Sequence, residues 1–186
     1  MQDPEEGGAT GGREPLDEET IAFVGRVFHY ARAGDAGELA PLLEAGLPPN
    51  LRNEKGDSLL MLAAYHGRAE AVRILLKHGA DPELANDRGQ TPLAAAAFKG
   101  DAGMVALLLD GGAAVDGCGP DGRTALMTAA MFDRMEIVDL LLARGADPAA
   151  RDAGGMTAED AARRMGAADT PDRLARAVLD RGPGDR

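Results

Sequence analysis

The stretch 86-NDRGQTPLAAAAFKGDAGMVALLLDGGAAVDGC-118 decides the fold, because its punctuation recurs on both sides of it at a fixed interval. The interval is 33 residues. Gly56, Gly89, Gly122 and Gly155 mark it, Ser58, Thr91, Thr124 and Thr157 follow two positions later, and Gly79, Gly112 and Gly145 close three of the units. A period in this range means stacked supersecondary units rather than one closed globule. Within the quoted unit, Thr91 can accept a hydrogen bond from the backbone of the next turn, and Pro92 stands at the first helical position, where its missing donor costs nothing. A helix therefore begins there, runs through LAAAAFK and ends at Gly100, which tolerates the left-handed conformation. Its four successive alanines let a neighbouring helix approach closely. Asp101 caps a second helix, whose Val105, Leu108 and Leu109 form an apolar stripe before Gly112 stops it. Each helix of about eight to ten residues falls below the roughly 12 to 15 needed for marginal stability alone in water, so neighbouring units must hold it.

The residues GQTPLAAAAFKG followed by ALLLDGGA resemble an ankyrin repeat, whose pattern is G-x-T-P-L-H-x-A-A-x-x-G and then L-L-x-x-G-A-D. The resemblance implies an all-α ankyrin-repeat solenoid of stacked helix-turn-helix units, each with a hairpin-like loop, curved and binding other proteins. Five units are expected, at about 18–52, 53–85, 86–118, 119–151 and 152–181, the first and last as degenerate caps. In the first, a helix from about Glu19 to Ala33 turns Ile21, Val24, Val27 and Phe28 toward the stack. Its partner helix opens at Asp35, carries Leu39, Leu42 and Leu43, and is expected to kink at Pro41. Met61, Ala94 and Met127 occupy the position of the family's His, removing the side-chain link that His provides to the neighbouring loop. Ala114 replaces the Asp of G-A-D, predicting a looser closing loop. Asp133 stands where other copies end the first helix with Gly, predicting strain or a different turn. In the last unit GMTAEDAARRMG is followed by a few extra residues before Thr170 and Pro171 start the final helix, and Arg163 and Arg164 give it a polar cap surface.

Composition narrows the function. The chain of 186 residues is 45% apolar but holds only four Phe, two Tyr and no Trp, which suits a thin stack packed through Ala and Leu. A formal charge of −11 disfavours nucleic acid, which needs a basic stripe. The single cysteine, Cys118, excludes an internal disulfide and fits a reducing compartment. No signal-peptide pattern and no membrane-length apolar run is present, so a cytoplasmic, monomeric protein without membrane attachment is expected, with a mature exported chain whose leader has been removed as the alternative. Residues 1–17 are rich in Gly and acids and are expected to be a disordered acidic leader, with a short tail at 182–186. Its acids point to a solubilising tail or to an arm competing for a basic partner.

No catalytic constellation emerges. His29, His66 and His78 lie in separate helical contexts without a metal-binding pair, Gly111 and Gly112 terminate a helix rather than open a phosphate loop, and Cys118 has no neighbouring base. No metal, cofactor or catalytic residue is expected. By the 33-residue register and the resemblance, the residues before the turn between the two helices face the concave side: Arg32 with Ala33, Tyr65 with His66, Phe98 with Lys99, Met131 with Phe132, and Arg164 with Met165. Aromatics and Arg are common interface anchors. The same Tyr65, Phe98 and Met131 could instead pack between adjacent first helices, and the two roles can coexist. The resemblance also implies loop tips within reach of a partner, at Glu54, Lys55 and Asp57, at Asp87, Arg88 and Gln90, and at Asp121 and Arg123. The expected function is a non-catalytic adaptor binding a partner protein; an inhibitor or immunity-type protein blocking an enzyme is the alternative, and an enzyme with an unrecognised site a remote one.

Overall fold

A computed structural model describes residues 17–180. The expected leader and C-terminal tail lie outside the described residues, except that Asp17 caps the first helix, accepting the Thr20 N–H at 2.6 Å. Ten helices follow in pairs: α1 (Glu18–Ala33) with α2 (Ala36–Glu44), α3 (Leu59–Tyr65) with α4 (Ala69–Lys77), α5 (Pro92–Lys99) with α6 (Ala102–Asp110), α7 (Ala125–Met131) with α8 (Met135–Ala143), and α9 (Ala158–Met165) with α10 (Thr170–Asp180). The odd-numbered helices pack side by side in one layer and the even-numbered helices in a second. The core is a ribbon between the layers. Leu75, Leu108, Leu141 and Leu174, each 33 residues from the next, are all fully buried, so the last four pairs contribute the same leucine to the same place, and Leu42 of the first pair is half-buried there.

The first helices begin alike. Ser58, Thr91, Thr124 and Thr157 each accept a backbone N–H three residues on, at 3.0–3.2 Å, and Asp160 answers Thr157 to complete a capping box. The residue receiving that cap is Met61, Ala94 or Met127 in the inner units. All three are buried, so where the family pattern has a hydrogen-bonding His this chain places apolar bulk in the stack.

The loops are first closed on themselves and then tied across unit boundaries. Asn53 Oδ1 accepts the N–H groups of Lys55 and Asp57, Asn86 Oδ1 those of Arg88 and Gln90, and Asp152 Oδ1 those of Gly154 and Met156. Gly119 breaks this series because its backbone lies against Gly89, and a Cβ there would strike the Gly89 carbonyl. At the other end of the helix pairs, Asn50 accepts the Asp81 N–H, Glu83 the Ala114 N–H and Asp116 the Asp147 N–H. Ala114 therefore keeps the bond to the preceding unit. What it lacks is the local turn bond that Asp81 makes to Glu83 and Asp147 to Ala149.

Several expectations are corrected. Ile21 does not face the stack; it is 57% exposed, because α1 ends the row and has a neighbouring first helix on one side only. Pro41 lies inside α2 on its exposed side, with Leu39 and Leu43 buried opposite, and the residue four back, Gly37, is exposed too. Water can thus serve the carbonyl that Pro41 leaves without a donor. The last helix starts at Thr170 as expected, after four connecting residues where the other pairs have two or three, but nothing is inserted relative to the register. Leu174 keeps the 33-residue register, and α10 merely starts two residues later than that register would place it.

Asp133 explains that late start. It adopts φ 53°, the left-handed conformation its glycine counterparts take, and its carboxylate accepts the N–H groups of Ala168, Asp169 and Thr170 at 3.0–3.2 Å. The Thr170 hydroxyl donates in turn to the Ala130 carbonyl. A glycine would fit the backbone with less strain, but it would leave the N-terminus of α10 without this acceptor. Those backbone hydrogen bonds, that of Thr170 foremost, hold the Asp133 carboxyl below the usual carboxylate value.

Candidate protein-binding face

The C-terminal ends of α1, α3, α5, α7 and α9 carry one side-chain row, because each first helix ends at the same register and packs beside the next. Tyr65 ends α3, Phe98 lies in the last turn of α5, and Phe132 follows α7, so the three rings fall on adjacent helices. Tyr65 and Phe98 stack with centroids 6.4 Å apart and planes 13° from parallel, while Phe98 and Phe132 meet edge to face at 4.8 Å. Both geometries suit aromatic quadrupoles. Phe98, held between the other two, is half-buried; Tyr65 and Phe132 are exposed at 36% and 38%. Met131 is half-buried beside them, and Met165 is exposed at the far end.

Cations border the rings. Lys99 Nζ lies 5.0 Å above the centre of the Tyr65 ring. Arg32, His66, Lys99 and Arg164 are exposed, and among the described residues no carboxylate forms an ion pair with Arg32, Lys99 or Arg164. His66 is held below the ordinary imidazole value, first by partial desolvation and then by Arg68, Arg32 and Lys99 around it.

The loop tips form the opposite wall. Glu54, Lys55, Arg88 and Arg123 are exposed, and Gln90 is half-buried. Asp87 is exposed and pairs with Arg52 at 3.2 Å, while Asp121, half-buried, accepts the Arg123 N–H at 3.0 Å. Asp57 is not a tip residue. It is 6% exposed, and its carboxylate accepts from the side-chain amides of Asn53 and, at 2.7 Å, Asn86. It joins the loops of the second and third units, and the 33-residue spacing gave no sign of which way it pointed.

Between the helix row and the tips run three recesses. The largest, about 650 Å³, lies between α1 and the loop of the second unit, against Ile21, Val24, Phe28 and Leu62. One of about 180 Å³ lies by Tyr65, His66 and Arg88, and one of about 150 Å³ by Phe98, Phe132 and Arg123. Sequence reasoning put Val24 and Phe28 in the stack and missed that they also line the large recess. The signal available was the length of α1, 16 residues against seven or eight for the other first helices.

The arrangement offers apolar rings, unpaired cations and a polar rim, the chemistry of noncovalent recognition. Cys118 is exposed on a loop, and among the described residues no group of three His, Cys, Asp or Glu is placed to hold a metal ion. Among the same residues no helix is long and apolar enough to cross a membrane.

The family model for ankyrin repeats matches residues 28–117, 61–152 and 94–175 in three overlapping copies, which together cover most of the chain. A curated ankyrin repeat protein of Pseudomonas aeruginosa is 60% identical over 62 residues, 33% of this chain and 36% of that protein. The match thus spans little more than a third of the relative's length.

Proposed function

Because the chain belongs to the ankyrin repeat family, whose repeats generally mediate protein–protein interaction, we propose that it is a non-catalytic adaptor that grips its partner along the row of first-helix ends. Tyr65, Phe98 and Phe132 form the centre of the contact, Arg32, His66, Lys99, Met131 and Arg164 extend it, and Glu54, Lys55, Asp87, Arg88, Gln90, Asp121 and Arg123 supply the rim. The observation that carries this reading is the ring ladder. Three of the chain's six Phe and Tyr residues touch one another on one face while two of them remain exposed. Burying such rings in the interior alone would not leave them open to solvent. The face is also preformed: each ring rides on a helix capped at its N-terminus and tied to its neighbours, so little ordering entropy is lost on association.

The test is affinity capture with the full chain, comparing wild type with a Y65A/F98A/F132A variant whose fold is checked by circular dichroism. Proteins retained by wild type and lost by the variant support the proposal. An identical set on both refutes it.

A further inference from the structure

Charge on the two walls of the recess row is unequal. The helix wall carries Arg32, Lys99 and Arg164 without a pairing carboxylate among the described residues, and no acid stands at the equivalent positions of its five units. The loop wall is mixed, and there Asp87 is already paired with Arg52. The chain as a whole is strongly acidic, at −11. Part of that acid lies in the second helix layer, with Glu70, Asp110, Glu136 and Asp139 on α4, α6 and α8, where Glu70, Asp110 and Asp139 already pair with Arg73, Arg144 and Arg173. Helix layers sit about 8–10 Å apart before side-chain length is added. Exposed charges are largely screened beyond about 8 Å at physiological ionic strength. A ligand on the first-helix row therefore meets the local cations, not the net charge. The three cations around His66 report the same local sign through their effect on its imidazole.

The largest recess adds an apolar requirement. Val24, Phe28 and Leu62 line it, with Arg32 and Lys55, unpaired among the described residues, and the Asp87-paired Arg52 around it and one exposed acid, Glu54. Asp57 at its wall is buried and already bonded to two amides. A space of about 650 Å³ accommodates a bulky side chain with room to spare.

Resting on the adaptor reading above, we infer that the partner presents an acidic polypeptide segment with a bulky apolar side chain, which enters the recess beside α1 while flanking carboxylates meet Arg32 and Lys99. A basic segment would set like charges against both cations, and a neutral one would leave them without gain. Single-stranded nucleic acid is the less fitting occupant. Among the described residues the cations of the face without an ion pair are Arg32, Lys55, Arg88, Lys99 and Arg164, and on a chain of this charge they form no continuous basic stripe of the kind a phosphate backbone needs.

The experiment is selection of a random dodecapeptide library displayed on phage against the full chain, its R32E/K99E variant and its Y65A/F98A/F132A variant. Thermal melts establish that both variants are folded, and R32Q/K99Q replaces the charge reversal if that variant is not. Peptides selected on wild type are expected to be rich in Asp and Glu around a Leu, Ile, Met or Phe. The best of them, synthesised and followed by fluorescence anisotropy, is expected to lose about tenfold in affinity on the charge reversal. Neutral or basic peptides that depend on the rings but not on Arg32 and Lys99 overturn the inference and leave the adaptor reading standing. Peptides indifferent to the rings, or none at all, overturn both. An oligothymidylate probe that binds more tightly than the best peptide and responds to the charge reversal also overturns it.

Discussion

Leu108→Ala isolates what holds the row of units together. Leu108 is fully buried on α6, which packs against α4, α5 and α8, so the substitution removes apolar volume where the central unit meets both neighbours. Three carbons are lost, at about 0.8 kcal/mol each, or about 2.4 kcal/mol of transfer free energy. A residual cavity of about 50 Å³ adds about 1.2 kcal/mol at the usual cost per unit of void. The sum, about 3–4 kcal/mol, lies inside the range of about 2–5 kcal/mol found for buried Leu→Ala changes. Urea unfolding followed by circular dichroism measures it. With a denaturant slope of about 2 kcal/mol/M, the midpoint should fall by about 1.5–2 M at unchanged slope. Leu179, 78% exposed on α10, is the control, and its alanine variant should stay within about 0.5 kcal/mol of wild type. A loss below about 0.5 kcal/mol at Leu108 would refute the assignment of that leucine to a shared core.

Four further outcomes follow from the same contacts. Phe98→Ala should cost about 1–2 kcal/mol in the same urea assay, since it removes a stacked and an edge-to-face contact from a half-buried ring, and it should lose partner capture while remaining folded. Asp57→Ala strands the Asn86 side-chain amide in the interior and should cost about 1–3 kcal/mol, with faster amide exchange in the loops of the second and third units. Asp133, whose carboxyl is held below its ordinary value of 3.8, contributes stability that is present above that pH and lost as pH falls through its lower folded value; Asp133→Ala should remove that part of the acid sensitivity and speed exchange at Ala168, Asp169 and Thr170. His66 should titrate below 6.5 when its ring protons are followed by NMR, and Lys99→Gln should raise that midpoint; the folded state disfavours its charged form, so its contribution to stability declines as pH drops from 6.5 toward the folded midpoint.

The stack was legible because it is written in spacing. Caps at Ser58, Thr91, Thr124 and Thr157 and leucines at 75, 108, 141 and 174 recur at one interval, and such local and periodic constraints survive folding unchanged. The row containing Tyr65, Phe98 and Phe132 followed from the same register, although the angles between the rings did not. What spacing could not reveal were contacts made once. Asp57 looks like any charged loop residue until Asn86, 29 positions on, turns its amide toward it. Asp133 reads as a strained substitute for glycine until three N–H groups 35–37 positions downstream supply its purpose. Ile21 fits an apolar stripe, but a terminal helix has no neighbour to cover it.

Hydrogen exchange of the chain alone and in complex with a captured partner tests the central claim most directly. The account predicts protection at the C-terminal ends of α3, α5 and α7 and in the loop tips at 54–55, 87–90 and 121–123. Protection confined to α4, α6 and α8, with the ends of the first helices unchanged, would contradict it.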